Sequence, residues 1–321
     1  MSGIHMAAFG SHFYSRLFFV SGDNRMTEKI KIACGVEYDG QGFYGFQTQR
    51  QEPTVQACLE KALSQVADEP VTVVCAGRTD TGVSARGQVI HFETTALRSA
   101  RSWVLGGNSA LPGGIALLWA KAVPADFHAR FSATARRYRY HILNRWVRPA
   151  MDRGHLTWVM KPLDEQRMHE AAQILVGEHD FSAFRAAGCQ SRTPMREVFH
   201  IGVSRKGNQV LIDIQANAFL HHMVRNIAGA LIPIGTGERP VSWLAEVLTG
   251  RDRKKAGITA PAEGLVFEGV SYPAVYGIPQ APVDFQHDAG EPLGSDVASA
   301  RSSRDSAESF IVKPTASGDH G

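Results

Sequence analysis

From Lys29 the segment KIKIACGVEYDG alternates apolar and polar positions, which predicts a half-buried strand ending in a turn at Asp39-Gly40. Val55, Leu59, Leu63 and Val66 then recur at helical spacing, with Thr54 behind Pro53 as the N-cap. Val71 to Cys75 and Gln88 to Phe92 read as two buried strands with a polar loop between them. A helical segment from Leu97 to Leu111, carrying Trp103 and Leu105, stops at the Asn108-to-Pro112 turn, and Ile115 to Ala122 gives another buried strand. Strand, helix, strand, strand, helix, strand over residues 29–125 suits an α/β sandwich, with helices on one face of a mainly antiparallel sheet.

The later half repeats this logic. Tyr138, Tyr140 and Ile142 fall on one face of a strand, and Arg137, Arg139 and His141 on the other. Asp164 to Leu175 is an amphipathic helix, Ile201 to Arg205 and Val210 to Ala216 are alternating strands, Trp243 to Leu248 starts a short helix, and Gly264 to Tyr272 closes with a strand. Phe219, Met223 and Ile227 make one buried helical stripe that leaves His222 and Arg225 pointing elsewhere. The expected organisation is therefore two similar α/β domains, at 29–125 and 126–275, with a cleft between them. Residues 1–28 show no period and are expected to be a disordered extension. Residues 276–321, rich in Pro, Ser, Ala, Gly and Asp, are expected to be a disordered acidic tail.

Composition narrows the classes. With 44% hydrophobic and 20% charged residues, the 321-residue chain can bury a real core. No apolar run is long enough to span a bilayer and no export signal is visible, so no membrane role is expected. Four cysteines, Cys34, Cys58, Cys75 and Cys189, lack metal-ligand spacing and fit reduced thiols in a cytoplasm. The net charge of +3 hides an asymmetry, because residues 284–321 carry seven acids against three bases and leave about +7 on residues 1–283. A moderately basic body favours a polyanion partner only weakly.

Candidate chemistry concentrates in GRTDTGV at Gly77 to Val83, where Arg78 and Asp80 stand two residues apart among Gly77, Gly82 and Gly87. The loop FYGFQTQ, with Phe43, Tyr44 and Phe46 beside Tyr38, reads either as core closure or as a cleft wall offering stacking rings. Arg130, Arg136, Arg137 and Arg139 interleave with Phe127, Phe131, Tyr138 and Tyr140, which reads either as a solvated arginine face or as phosphate and base contacts. Phe184 to Arg196 adds three arginines in a polar loop. Asp80-Thr81-Gly82 is also the tripeptide of aspartic proteases, but those enzymes need a second such carboxylate and this chain has no second DTG or DSG. A non-catalytic RNA-binding module, with Asp80 as a loop-capping carboxylate, is the stronger alternative.

GRTDTGV, FHARFSATARRYRYHILN, FSAFRAAGCQSRTPMR, ANAFLHHMVRNIAG and AEGL, in that order between Lys29 and Tyr272, together resemble the tRNA pseudouridine synthase A family. The resemblance implies two ferredoxin-like, RRM-like domains sharing a continuous, largely antiparallel sheet, a homodimer, and tRNA as partner. It implies isomerisation of uridine to pseudouridine on the 3′ side of the anticodon stem-loop, without metal or cofactor. Carried onto this chain, it makes Asp80 the catalytic aspartate, Arg78 an RNA contact that helps expel the target base, and Tyr138 the tyrosine near the uracil. Arg225 becomes the basic partner of Asp80, and Leu265 a wall of the uracil pocket. Ser84 departs from the histidine common at that place, which puts an RNA contact there in doubt. An ionised carboxylate can serve such an isomerisation by attacking the sugar, adding to the base, or promoting elimination at the ribose. Tyr138 can stack on the base or accept the proton leaving C5.

Overall fold

The structure, a computed structural model, describes residues 28–50 and 53–279. The disordered extension expected at 1–28 and the tail expected at 276–321 lie outside these bounds, except for Glu28 and residues 276–279. The first half forms β1 (Ile30–Tyr38), α1 (Val55–Ala67), β2 (Val74–Cys75), β3 (Ser84–Thr94), α2 (Ala100–Ala110) and β4 (Ile115–Val123), in the expected order. The second half forms β5 (Ala135–Asn144), β6 (Thr157–Val159), α3 (Glu165–Ala172), β7 (Gly177–Asp180), β8 (Met195–Lys206), β9 (Gln209–Ala216), α4 (Met223–Gly235), α5 (Trp243–Gly250) and β10 (Leu265–Ser271).

The ten strands make one sheet, ordered β4-β1-β3-β10-β5-β9-β8-β7, with β2 also beside β3 and β6 beside β5. Only β3 with β10 and β5 with β6 pair in parallel. The last strand thus lies in the middle. Val266 and Phe267 of β10 pair with Ser84 and Ala85 on one side and with Arg139 and Tyr138 on the other, so a strand from the end of the chain ties both halves together.

Alternation along the strands sorts the two faces. Ile32, Phe92, Tyr140 and Ile212 share one apolar cluster with Leu59 and Leu63 of α1, Trp103 of α2, Met168 of α3 and Ile227 and Leu231 of α4. All the longer helices therefore cover one face, and each fully buried Leu or Ile contributes on the order of 1.5–3 kcal/mol. The opposite face is closed over the first half by Ala33, Val89, Trp119, Phe127 and Tyr272. Over β5 and β9 it is charged.

There Arg137 donates from Nε and Nη2 to the two oxygens of Asp213 at 2.7 and 2.9 Å, and Arg139 donates to Oδ2 at 3.0 and 2.8 Å. Burial would raise the Asp213 carboxyl, but the two guanidiniums outweigh it and hold the group below its ordinary value. These arginines are thus a paired row on the far side of the sheet from Tyr138.

Other departures have local causes. Of the strand expected at Val71 to Cys75, only Val74–Cys75 forms, because the Val71 N–H donates to Ser64 Oγ and the Val73 N–H to Glu60 Oε1, both on α1. The Leu97-to-Leu111 helix starts at Ala100, since Ser99 caps it by accepting from the Ser102 N–H. The stripe expected from Phe219 does not begin there: α4 starts at Met223, and Phe219 is a loop residue packed edge-on against Tyr138 at 5.1 Å.

The seam between β3 and β10 leaves no room at Gly87. A Cβ there would stand 2.5 Å from the Glu268 carbonyl oxygen and 2.9 Å from Gly269 Cα. Gly87→Ala is therefore expected to lower the unfolding free energy by roughly 1–3 kcal/mol, read as a lower denaturant midpoint, whereas Gly113→Ala, with nothing within 4 Å of its Cβ, is expected to be near neutral. Equal midpoints for the two variants would show that the seam tolerates a shift.

Candidate active site

The loop before β3 is held from three sides. The buried Gln88 side chain donates to the Gly77 carbonyl at 2.6 Å and accepts from the Gly77 N–H at 3.4 Å. Thr79 Oγ1 lies 2.8 Å from the Tyr38 hydroxyl, and the Thr79 carbonyl accepts from the Phe46 N–H at 3.1 Å. The Val83 N–H then closes a turn onto the Asp80 carbonyl at 3.1 Å, with Gly82 at its third position and a φ of 78° that favours glycine. Asp80 is left as a side chain on a fixed backbone. Ser84 Oγ accepts from the Gly40 N–H at 2.9 Å, a structural role for the departing residue.

Asp80 faces the first turn of α4. Arg225 Nη1 donates to Asp80 Oδ2 at 3.1 Å, while its Nε donates to the Ala260 carbonyl at 2.9 Å. The Ala260 N–H returns a bond to the Arg225 carbonyl at 3.1 Å, so this arginine is fixed by side chain and backbone alike. His222 Nε2 lies 3.2 Å from Oδ2 and His221 Nε2 lies 3.6 Å from Oδ1. Burial first, then His221, Arg225 and Arg253, push the His222 imidazole below its ordinary value against the pull of Asp80. Its contact with Asp80 is therefore a close approach of the imidazole to the carboxylate, beside the hydrogen bond that Arg225 donates. The helix N-terminus adds its positive end to the carboxylate's surroundings.

These groups sit in a cavity of about 930 Å³ between the two halves of the helix-covered face. Arg78, Arg130, Arg136, Arg196 and Arg225 line it, and Asp80 is the one acid among the described lining residues. Arg78 is exposed and forms no ion pair among the described residues, so its charge is available. Arg136 is buried, committed to the carbonyls of Asn217 at 2.8 Å and Ala133 at 3.2 Å. Leu265, the first residue of β10, is buried at the cavity wall. Tyr44, half exposed, and the buried Phe46 also line it, whereas Tyr38 and Phe43 close the core.

Tyr138 is wedged between Phe219 at 5.1 Å and Phe267 at 4.9 Å. Burial, then Tyr38 and the Asp80 charge, raise its phenol well above the ordinary value. At neutral pH the phenol keeps its proton, which suits stacking and hydrogen-bond donation better than proton abstraction. Of the loop arginines, Arg185 is spent on the carbonyls of Cys189 at 2.8 Å and Ser191 at 2.7 Å. Arg196 is bonded within the same loop while lining the cavity.

Asp80, His221 and His222 offer three ligand atoms within 4.8 Å of one another, a donor set that could take a divalent metal. A fixed guanidinium already shares Oδ2, so an incoming dication would meet a positive charge at contact distance. The same pairing disfavours a protease site, where a second carboxylate would share a proton with the first.

Arg78, Asp80, Tyr138, Arg225 and Leu265 thus all meet in one cavity. Sequence reasoning missed the hold of His222 on Asp80 and the anchoring by Gln88. A glutamine opening the buried strand Gln88 to Phe92 was the available signal, since a buried amide needs partners. Gln88→Leu is expected to cost about 1–3 kcal/mol by orphaning the Gly77 backbone groups. Faster amide exchange at Gly77 would accompany it; unchanged exchange would mean the loop is held by Thr79 alone.

A sequence profile described as tRNA pseudouridine synthase matches residues 35–132 and 171–273. The tRNA pseudouridine synthase A of Escherichia coli strain K12 is 57% identical over 261 residues, which cover 81% of this chain and 97% of that protein. Its counterpart from Cronobacter sakazakii is 58% identical over 254 residues, covering 79% and 94%. Among solved structures, a chain of the archaeal box H/ACA sRNP Nop10-Cbf5 complex aligns at 12% identity over 63% of this chain and 44% of that one, with a TM-score of 0.30 that is too low to bear on the fold. The profile spans the Asp80 loop, Arg225 and β10, the two relatives match about four fifths of the chain, and the chain belongs to the tRNA pseudouridine synthase A family.

Proposed function

We infer that this chain isomerises uridine to pseudouridine in tRNA, with Asp80 as the reacting carboxylate. The observation that carries the site is a single acid held by Arg225 in a cavity that four further arginines also line. The reaction breaks the N1–C1′ bond, turns the uracil and joins C5 to C1′; the C5 proton leaves and N1 regains one. Nothing is oxidised or reduced, so the chemistry needs no redox cofactor. It needs an anion beside the sugar and base, and Asp80 in contact with a guanidinium supplies one.

The remaining residues suit the substrate. A uridine in a stem-loop must leave its stack, at a cost of a few kcal/mol that contacts in the cavity offset. Arg78, exposed and unpaired among the described residues, fits the phosphate or the space the base vacates. Tyr138 and Leu265 form an apolar wall for the ring. The family resemblance further supports a target on the 3′ side of the anticodon stem-loop, two ferredoxin-like halves at 29–125 and 126–275, a homodimer, and work in the cytoplasm, where tRNA is. No helix among the described residues is long and apolar enough to cross a membrane.

A tRNA transcript with tritium at uracil C5 tests the assignment. The wild-type protein is expected to release tritium to water without added cofactor, and Asp80→Asn to release none above background. Carbodiimide mapping should then place pseudouridine on the 3′ side of the anticodon stem-loop; a product elsewhere would overturn that part alone. Binding without release would return the chain to the RNA-binding reading. Arg78→Gln is expected to weaken tRNA binding and make the salt dependence shallower by about one phosphate contact. An unchanged slope would remove Arg78 from the RNA interface.

A further inference from the structure

We propose that His222 is a positioning residue for Asp80, and that the fold accepts a strained backbone in order to place it. The inference rests on Asp80 being the reacting group.

Four non-glycine residues among those described have a positive φ: Asp68, Asp152, His222 and Arg251. Asp68 and Arg251 close the C-terminal ends of α1 and α5, where a left-handed residue is ordinary. Asp152 sits in an exposed turn. His222 is different, because it stands at the N-terminal end of α4 with φ 59° and ψ 8°. At that position an extended Ser, Thr, Asp or Asn normally caps the helix. Thr54 and Ser99 do so for α1 and α2, with φ of −112° and −67° and side chains that accept backbone N–H groups. His222 makes no side-chain cap bond. A β-carbon in the left-handed region and an empty cap slot are two local costs at one residue.

The surroundings hold it there. The Ala186 N–H donates to the His221 carbonyl at 3.0 Å, the Met223 N–H to the Leu220 carbonyl at 3.0 Å, and the Asn226 N–H to the His222 carbonyl at 2.9 Å. The His222 ring stacks on that of His221 with centroids 3.9 Å apart, and its Nε2 ends 3.2 Å from Asp80 Oδ2. Strain that persists because the neighbours enforce it is the kind that accompanies function.

The contact also distinguishes the two oxygens of Asp80. Arg225 Nη1 and His222 Nε2 converge on Oδ2, whereas His221 Nε2 stands 3.6 Å from Oδ1, beyond hydrogen-bond distance. A hydrogen bond from Arg225 and the His222 imidazole at 3.2 Å, both against Oδ2, restrict the carboxylate torsion and leave Oδ1 as the atom presented to the substrate. With Arg225 alone, the carboxylate could swing about a single bond.

The test compares His222→Gly and His222→Gln with wild type and Asp80→Asn, all as the full chain. Glycine adopts a positive φ freely, so His222→Gly is expected to keep or raise the thermal midpoint. It should bind tRNA within about twofold of wild type and release tritium about tenfold more slowly in a single turnover at saturating protein. In His222→Gln the amide nitrogen can stand near the place of Nε2, and the rate is expected to recover to within about threefold of wild type. A wild-type rate in His222→Gly, a glutamine variant as slow as the glycine one, or a loss confined to tRNA affinity would each overturn the proposal. If Asp80→Asn kept full activity, the assignment of the site itself would fall; if it were inactive while His222→Gly matched wild type, only the positioning role would.

Discussion

A guanidinium and a carboxylate separated by 145 residues of chain meet at 3.1 Å, and the architecture is what makes that meeting repeatable. Asp80 is placed by a loop whose backbone is bonded to Gln88 and Phe46 and whose Thr79 side chain is bonded to Tyr38, all in the first half. Arg225 is placed by a helix of the second half and by Ala260, just before β10. Neither partner can be moved by a fraction of an ångström without losing a hydrogen bond that has little tolerance in distance or angle. The sheet supplies the common frame, because β10 pairs with the strand after Asp80 on one edge and with the strand of Tyr138 on the other.

Charge is distributed with the same division of labour. On the far face of the sheet, Arg137 and Arg139 are neutralised by Asp213, and Glu268 lies 3.7 Å from Arg139. In the cavity five arginines surround one acid. A polyanion approaching from the cavity side therefore meets an excess of positive charge, and one approaching from the other side meets a balanced row. The overall charge of +3 conceals this, since pairing, not number, determines which arginines are free.

Most of the frame was legible because it rests on periodicity. The alternation of Tyr138 with Arg137 and Arg139, the Thr54 cap and the order of elements through Val123 all follow from side-chain spacing on a strand or helix. The motif residues Asp80, Arg78, Tyr138, Arg225 and Leu265 were legible through resemblance, and they do converge on one cavity. What spacing could not carry was competition for backbone groups: Ser64 and Glu60 take the N–H groups that would have extended β2. Nor could it carry long-range pairing. The arginine row was ambiguous until Asp213, 76 residues beyond Arg137, was seen opposite it. His222 and Arg225 were rightly set off the buried stripe, but the start of α4 at Met223, after a left-handed residue, is announced by no local pattern.

The central place of β10 also governs how the molecule comes into being. Arg86 and Glu268, partners across its seam with β3, are 182 residues apart. At cellular synthesis rates, roughly 10 to 40 seconds separate their emergence from the ribosome. Throughout that interval β3 and β5 each present an open edge, and the cavity lacks Leu265 and the Ala260 carbonyl that steadies Arg225. A chain cut short just upstream of residue 265 would keep most of its elements, but its strand edges would remain available for pairing with other chains. Assembly of the site thus waits on β10, late in synthesis, and a chain interrupted before it becomes an aggregation hazard rather than a partial enzyme.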